Sequence, residues 1–177
     1  MVSIGDIPKS EQHNRAHKLL RECLKPLKIS YPAELSCGEY GKPYLAEHPE
    51  VKFNLSHSDG IAACIVSDHE CGIDCEKVRN FHPKAMQRAF SDAERELVNS
   101  APEEERDLLF FRIWTLKEAY IKAIGRGLSF PMDRVEFSFD GDRVISNVPD
   151  FRFRQYVIHG EFVVSICEQI VNNQPQT

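Results

Sequence analysis

The sequence predicts an α+β fold built as two α+β lobes, residues 1–69 and 70–177, that meet near residue 70. Three observations carry that expectation. Apolar residues recur at helical spacing over residues 10–27 and again over 102–124. Short runs of strand character, punctuated by turn residues, cluster between 35 and 78 and again between 135 and 170. No linker-like or low-complexity stretch separates the two halves.

The bulk properties narrow the function classes. With 177 residues, 42% of them hydrophobic, the chain can bury a core of its own. A net charge of −5 argues against a general binder of nucleic acid or of membrane surfaces. No apolar run approaches the ~20 residues needed to span a bilayer. The opening "MVSIGDIPKS" lacks the layout of a secretory signal. Six cysteines (23, 37, 64, 71, 75 and 167) are scattered, mostly in apolar surroundings, and read as reduced, buried thiols of a cytoplasmic protein.

The elements follow in order. Ala16, Leu19, Leu20, Cys23, Leu24 and Leu27 form one face of an amphipathic helix expected to be capped by Ser10 and to close near Leu27. His13 and His17 lie four apart on it; without a third ligand nearby they read as a solvated face. A strand around 35–40 leads into "GKP", and "VKFNLSHS" is a second, running into a turn. "GIAACIVS" (60–67) and "CGIDCEKV" (71–78) are strands whose link, "DHE", has hairpin length. A helical stretch at 83–90 precedes a capping box, Ser91 with Glu94, that opens a helix to about 99. Pro102 followed by three glutamates opens a long helix that should run to Ile124 and stop at "GRGL". The tail reads as strands "VEFSF", "RVI", "FRFRQYVI" and "EFVVSICEQI", turning at Asp140–Gly141 and His159–Gly160, and "VNNQPQT" as a frayed end.

Chemistry concentrates in two places. In "GIDCEKV" strand alternation puts Cys71, Ile73 and Cys75 on one face and Asp74 and Glu76 on the other. Two carboxylates so placed repel each other, and a divalent cation would neutralise them. In "FRIWTLKEAYIKAIG", Leu109, Ile113, Leu116 and Tyr120 make an apolar stripe that Phe110, Trp114 and Ile121 extend. Glu118 and Lys122 share a face four residues apart, with Lys117 beside Glu118. The bland reading is an exposed salt bridge. Packed beside the acidic strand, however, Glu118 would be a third oxygen donor of the kind that holds Mg²⁺, with lysines ready to neutralise phosphate oxygens.

"GKP", "FNLSHS", "GIDCE" and "WTLKEAYIKAIGRGL", in that order, resemble the signatures of the 4′-phosphopantetheinyl transferases, and more narrowly the monomeric surfactin type. The resemblance covers about residue 10 to residue 170. It implies two similar lobes in a pseudo-twofold arrangement with the site in the cleft between them. It also implies transfer of the phosphopantetheine arm of coenzyme A to a serine of an apo acyl or peptidyl carrier protein, with release of 3′,5′-ADP. By the same resemblance Asp74, Glu76 and Glu118 hold Mg²⁺, with Mn²⁺ as an alternative, and Glu118 is the group that, directly or through a water, deprotonates the serine. Lys122 and Lys117 face the pyrophosphate. Lys42 and Pro43 of "GKP", with Ser56 and His57, contact coenzyme A phosphates in the first lobe, and Arg21, with Arg15 as the alternative, contacts the 3′-phosphoadenosine end. Members of this type carry an extra strand and basic residues ahead of the first helix, which the nine residues before Ser10 do not match.

The same residues admit other readings. His57 on its own reads as a turn residue. Asn54-Leu55-Ser56 fits a glycosylation pattern only an exported chain would meet. A Mg²⁺-dependent phosphohydrolase would use the same acids and lysines but leaves "GKP" and "NLSHS" unexplained. A binding module without catalysis would be expected to lose one of the charged set. The small trimeric holo-synthase type has a single lobe. The expected protein is therefore a cytoplasmic monomer whose partners are coenzyme A and a carrier protein, with no nucleic acid and no membrane.

Overall fold

In the computed structural model, which describes residues 1–5 and 7–171, the chain forms ten strands and four α-helices. The first half runs β1 (Val2–Ile4), α1 (Gln12–Leu24), β2 (Leu35–Cys37), β3 (Pro43–Leu45), β4 (Lys52–Ser58) and β5 (Ile61–Ser67). The second runs β6 (Cys71–Lys77), α2 (Pro83–Ala89), α3 (Asp92–Ser100), α4 (Glu103–Ile124), β7 (Phe137–Asp140), β8 (Arg143–Ser146), β9 (Phe151–Ile158) and β10 (Phe162–Gln169). Each half therefore reads strand, helix, hairpin, hairpin, with α2 and α3 inserted in the second. The sheets repeat too: β1-β5-β4 in the first half and β6-β10-β9 in the second, each with a separate two-stranded ribbon, β2-β3 and β7-β8.

Strand alternation explains how the lobes share a core. Along β5, Ala62 and Cys64 face α1 and join Leu20, Leu24 and Phe53. Ile61, Ala63 and Ile65, on the opposite face, pack against Cys71, Ile73 and Cys75 of β6 and close the seam between the lobes. The remaining face of β6, with Gly72, Asp74 and Glu76, turns toward α4. There Gly72 is required by space: a Cβ would lie 2.0 Å from the carbonyl oxygen of Ala119 and 2.5 Å from the nitrogen of Ala123. Strand and helix thus meet backbone to backbone at this point.

Both ends of α4 form where its sequence predicts. Pro102 precedes three first-turn glutamates, and Gly125 caps the other end at φ 66°, a left-handed conformation that suits glycine. The Ser91–Glu94 capping box of α3 is present in both directions. The turn His159–Gly160 has positive φ at both residues and joins β9 to β10.

Four expectations are corrected. First, α1 is capped at Glu11 rather than Ser10, without a side-chain bond, and ends at Leu24; Lys25–Leu27 tighten into a 3₁₀ turn and Leu27 is exposed. Second, β5 and β6 do not form a hairpin. β6 pairs with β10 instead, because its apolar face must close the lobe seam while β4 and β1 already flank β5. Third, β1 is a strand the sequence reading passed over: three residues with a single half-buried side chain give almost no periodicity. Fourth, Cys37 is exposed, whereas Cys64, Cys71, Cys75 and Cys167 are buried free thiols. The C-terminal stretch from Asn172 lies outside the described residues.

Candidate active site

β4 and β6 lie side by side at the lobe seam without a backbone ladder between them; side chains of β4 take its place. The β6 amides of Ile73 and Cys75 donate to Asn54 Oδ1 at 2.9 Å and to Ser56 Oγ at 3.3 Å. Ser56 Oγ in turn donates to Asp74 Oδ1 at 2.9 Å, and Ser58 Oγ donates to Glu76 Oε2 at 2.7 Å. Two serines two residues apart thus meet two acids two residues apart.

From the other side α4 delivers Lys122. Its Nζ donates to Asp74 Oδ1 at 2.6 Å, to Ser56 Oγ at 3.0 Å and to the Ile73 carbonyl at 3.3 Å. Asp74 is 5% exposed, and its second oxygen, Oδ2, has no hydrogen-bond partner among the described residues. An orphaned buried carboxylate oxygen is costly and implies an absent partner. Glu118, one turn before Lys122, is half-buried. Burial pushes its carboxyl above the usual range, the Asp74 charge adds to the rise, and Lys122 only partly opposes it. Burial alone would weaken the Lys122 ammonium, but Asp74 and then Glu118 outweigh it and hold the lysine above its ordinary value.

Among the described residues no three His, Cys, Asp or Glu side chains are gathered closely enough to hold a metal ion. Asp74 Oδ1 is held by Lys122 and Ser56, and Glu76 by Ser58 and by Arg79 at 2.9 Å. The donor chemistry nevertheless fits a hard divalent cation. Asp74 Oδ2 is unpartnered, and Glu118 is a carboxylate raised by burial and then by Asp74.

The structure separates the other predicted residues. Lys117 does not reach the seam. It is fully buried inside the second lobe, pairs with Glu94 Oε2 at 2.7 Å, and donates to the carbonyls of Met132, at 2.9 Å, and Val135. Successive helix residues point about 100° apart, and Lys117 shares the buried stripe of Ile113. Lys42 is drawn to the C-terminus of α4, where it donates to the Ala123 carbonyl at 2.7 Å. Pro43 opens β3 beside it, at a cavity of about 420 Å³.

His57, on β4 between the two serines, is exposed and lies edge-on to His13, with ring centroids 6.0 Å apart. His13 and His17 are 4.4 Å apart, and His17 Nδ1 is hydrogen-bonded to the Tyr31 hydroxyl. β4 thus brings a third histidine beside His13 and His17, but among the described residues the three are not gathered closely enough to hold a metal. Burial, then His13 and a further cation or histidine, hold both His17 and His57 below their ordinary values. Arg21 is exposed at a cavity of about 500 Å³ shared with Arg15, His17, Lys18 and Tyr31. A larger cavity, about 720 Å³, lies away from these acids, between Cys23, Cys64 and Glu168. Sequence reasoning missed Asn54, Ser58 and Arg79. The i, i+2 serines of β4 mirror the i, i+2 acids of β6, and that was the available signal.

Comparison with known proteins bears on this arrangement. A 4′-phosphopantetheinyl transferase of Bacillus subtilis is 35% identical over 144 residues, 77% of this chain and 64% of the relative. That is more residues than lie between 70 and the C-terminus, so the similarity reaches into the first lobe. The 4′-phosphopantetheinyl transferase Sfp of Bacillus subtilis strain 168 is 30% identical over 137 residues, 75% of this chain and 61% of the relative. The chain thus spans less than two thirds of the length of these curated relatives. The holo-[acyl-carrier-protein] synthase of Thermotoga maritima aligns with 56% of this chain and 62% of its own at TM-score 0.48 and 24% identity. Residues 70–167, more than half of the 177, match the model of one family. That match begins just before the strand of Asp74 and Glu76 and runs past the helix of Glu118 and Lys122, and the chain belongs to the 4′-phosphopantetheinyl transferase superfamily.

Proposed function

We propose that this protein transfers the 4′-phosphopantetheine arm of coenzyme A to a serine of an apo acyl or peptidyl carrier protein, releasing 3′,5′-ADP. The observation that carries the reading is the Asp74 carboxylate. It is buried at the lobe seam, shares one oxygen with Lys122 and Ser56, and leaves the other open. In this reading Asp74 and Glu118, with Glu76 more loosely, hold Mg²⁺ or Mn²⁺. When bound, such a cation would neutralise pyrophosphate oxygens. Glu118, made more basic by burial and by Asp74, takes the proton of the carrier serine. The serine oxygen then forms its bond to the pantetheinyl phosphorus as the phosphorus–oxygen bond to ADP breaks. Lys122, held charged by Asp74, stabilises the leaving oxygen.

His57 and Arg21 in the first lobe are suited to the phosphates of coenzyme A, which are stable anions throughout the reaction. The proposed setting is cytoplasmic and monomeric, without nucleic acid or membrane partners; no described helix is long and apolar enough to cross a membrane. Chromatographic measurement of 3′,5′-ADP tests the reading against hydrolysis. The expected result is release with Mg²⁺ only when an apo carrier is present. Release at the same rate without any carrier would assign a phosphohydrolase instead.

A further inference from the structure

We propose that Lys42 is a positioning residue: reaching across from the first lobe, it locks the C-terminus of α4 onto the start of β6 and so sets the register at which Glu118 and Lys122 meet Asp74. Its ammonium donates to the Ala123 carbonyl at 2.7 Å, to the Cys71 carbonyl at 3.1 Å and to Glu70 Oε2 at 2.7 Å. An ammonium has three N–H groups, and all three are occupied. The Ala123 carbonyl is one of the last four of α4, which have no partner within the helix. A cation at a helix C-terminus is also favoured by the helix dipole.

The place of the lock matters more than its strength. Ala123 follows Lys122 directly, and Cys71 precedes Gly72, where strand and helix backbones touch. The locked carbonyls therefore lie at the closest approach of α4 to β6, with Ala123 next to Lys122 and five residues after Glu118, and Cys71 three residues before Asp74. The lysine stem lies against Gly125, where a Cβ would come within 3.2 Å of Lys42 Cδ. Glu70 completes the clamp and is also paired with Lys52 at 3.3 Å. Burial would raise its carboxyl, but the bonds and charges of Lys42 and Lys52 outweigh this and hold it below the usual range. The "GKP" lysine thus spans the two lobes rather than facing open solvent, its side chain 18% exposed.

The kinetic part of the test rests on the transferase reading; the structural part does not. Lys42→Met and Lys42→Arg are compared with the native protein for kcat, for KM toward coenzyme A, and for amide hydrogen exchange, well below the unfolding midpoint. The expected result for Lys42→Met is faster exchange confined to the end of α4 and the start of β6. With it kcat falls ~10- to 10²-fold, as expected when reacting groups are misplaced by about an ångström, while KM changes little. Lys42→Arg, which keeps a cation, recovers part of both. A large rise in KM with unchanged kcat and unchanged exchange overturns the proposal and makes Lys42 a substrate contact. If the native protein transfers nothing, local opening in Lys42→Met still supports the lock and the transferase reading alone falls. Unchanged exchange overturns the lock whatever the activity.

Discussion

Gly72 and Ala119 are in backbone contact: a Cβ on the glycine would stand 2.0 Å from the alanine carbonyl oxygen. That contact lets α4 lie directly on β6, so that Lys122 of the helix reaches Asp74 of the strand at 2.6 Å. Gly72→Ala leaves no small adjustment, because both obstructing atoms belong to the helix backbone. The variant should be destabilised on the order of 4 kcal/mol or more, in the range reserved for specific structural conflict. Chemical denaturation checks it; a loss under about 1 kcal/mol would mean that the helix can move aside.

Lys122 and the acids separate by their partners. Asp74→Ala and Glu118→Ala should each abolish transfer while the protein stays folded by circular dichroism. Glu76→Ala should cost less, since its Oε2 already accepts from Ser58 and Arg79 and a water can fill one coordination position. Lys122→Ala should lower kcat ~10²- to 10³-fold, the loss typical of one preorganised charge stabiliser, with coenzyme A binding changed much less. Lys122→Arg should recover only part, because a planar fork does not replace a point charge. Near-native turnover in Lys122→Ala would reduce its bond to Asp74 to a structural one.

Lys117 should behave oppositely. It and Glu94 are almost entirely buried and paired at 2.7 Å, and Glu94 also ties the start of α3 to the amide of Phe137 at 2.9 Å. Breaking a buried pair by removing one partner typically costs about 3–5 kcal/mol. Lys117→Ala should therefore lower thermal stability strongly, while whatever remains folded keeps its KM and most of its kcat. Full stability with abolished turnover would return Lys117 to the chemistry.

The three histidines predict a pH dependence. His17 and His57 titrate below their ordinary value of 6.5 in the folded protein, through burial and then neighbouring positive charge. The unfolded chain then binds protons more readily, so stability present above about pH 6.5 is lost as the pH falls from there through the lower folded-state values of His17 and His57. The drop in Tm between about pH 7.5 and 5.5 should be smaller in His13→Gln, which relieves both neighbours, than in the native protein. An equal drop in the two would place the acid sensitivity elsewhere.

These residues also show what the sequence alone could and could not reveal. Helix ends were legible where local chemistry decides them, as at Ser91–Glu94 and at Gly125. The acidic face of β6 was legible because alternation is a property of any strand. The partner of β6 was not: a short link to β5 suggests a hairpin, but burial of Ile73 and Cys75 at the lobe seam decides the pairing. Lys117 is adjacent to Glu118 in sequence yet faces the core, and only its spacing from Ile113 hinted at that. Lys42 forms its bonds 28, 29 and 81 residues away, distances over which no local pattern carries information.

The most direct measurement is the intact mass of an apo carrier protein after incubation with this protein, coenzyme A and Mg²⁺, across a panel of carriers. The expected result is the gain of one phosphopantetheine on a single serine of at least one carrier, lost when Asp74→Ala replaces the native protein. No mass gain on any carrier, from folded protein with coenzyme A left intact, would contradict it.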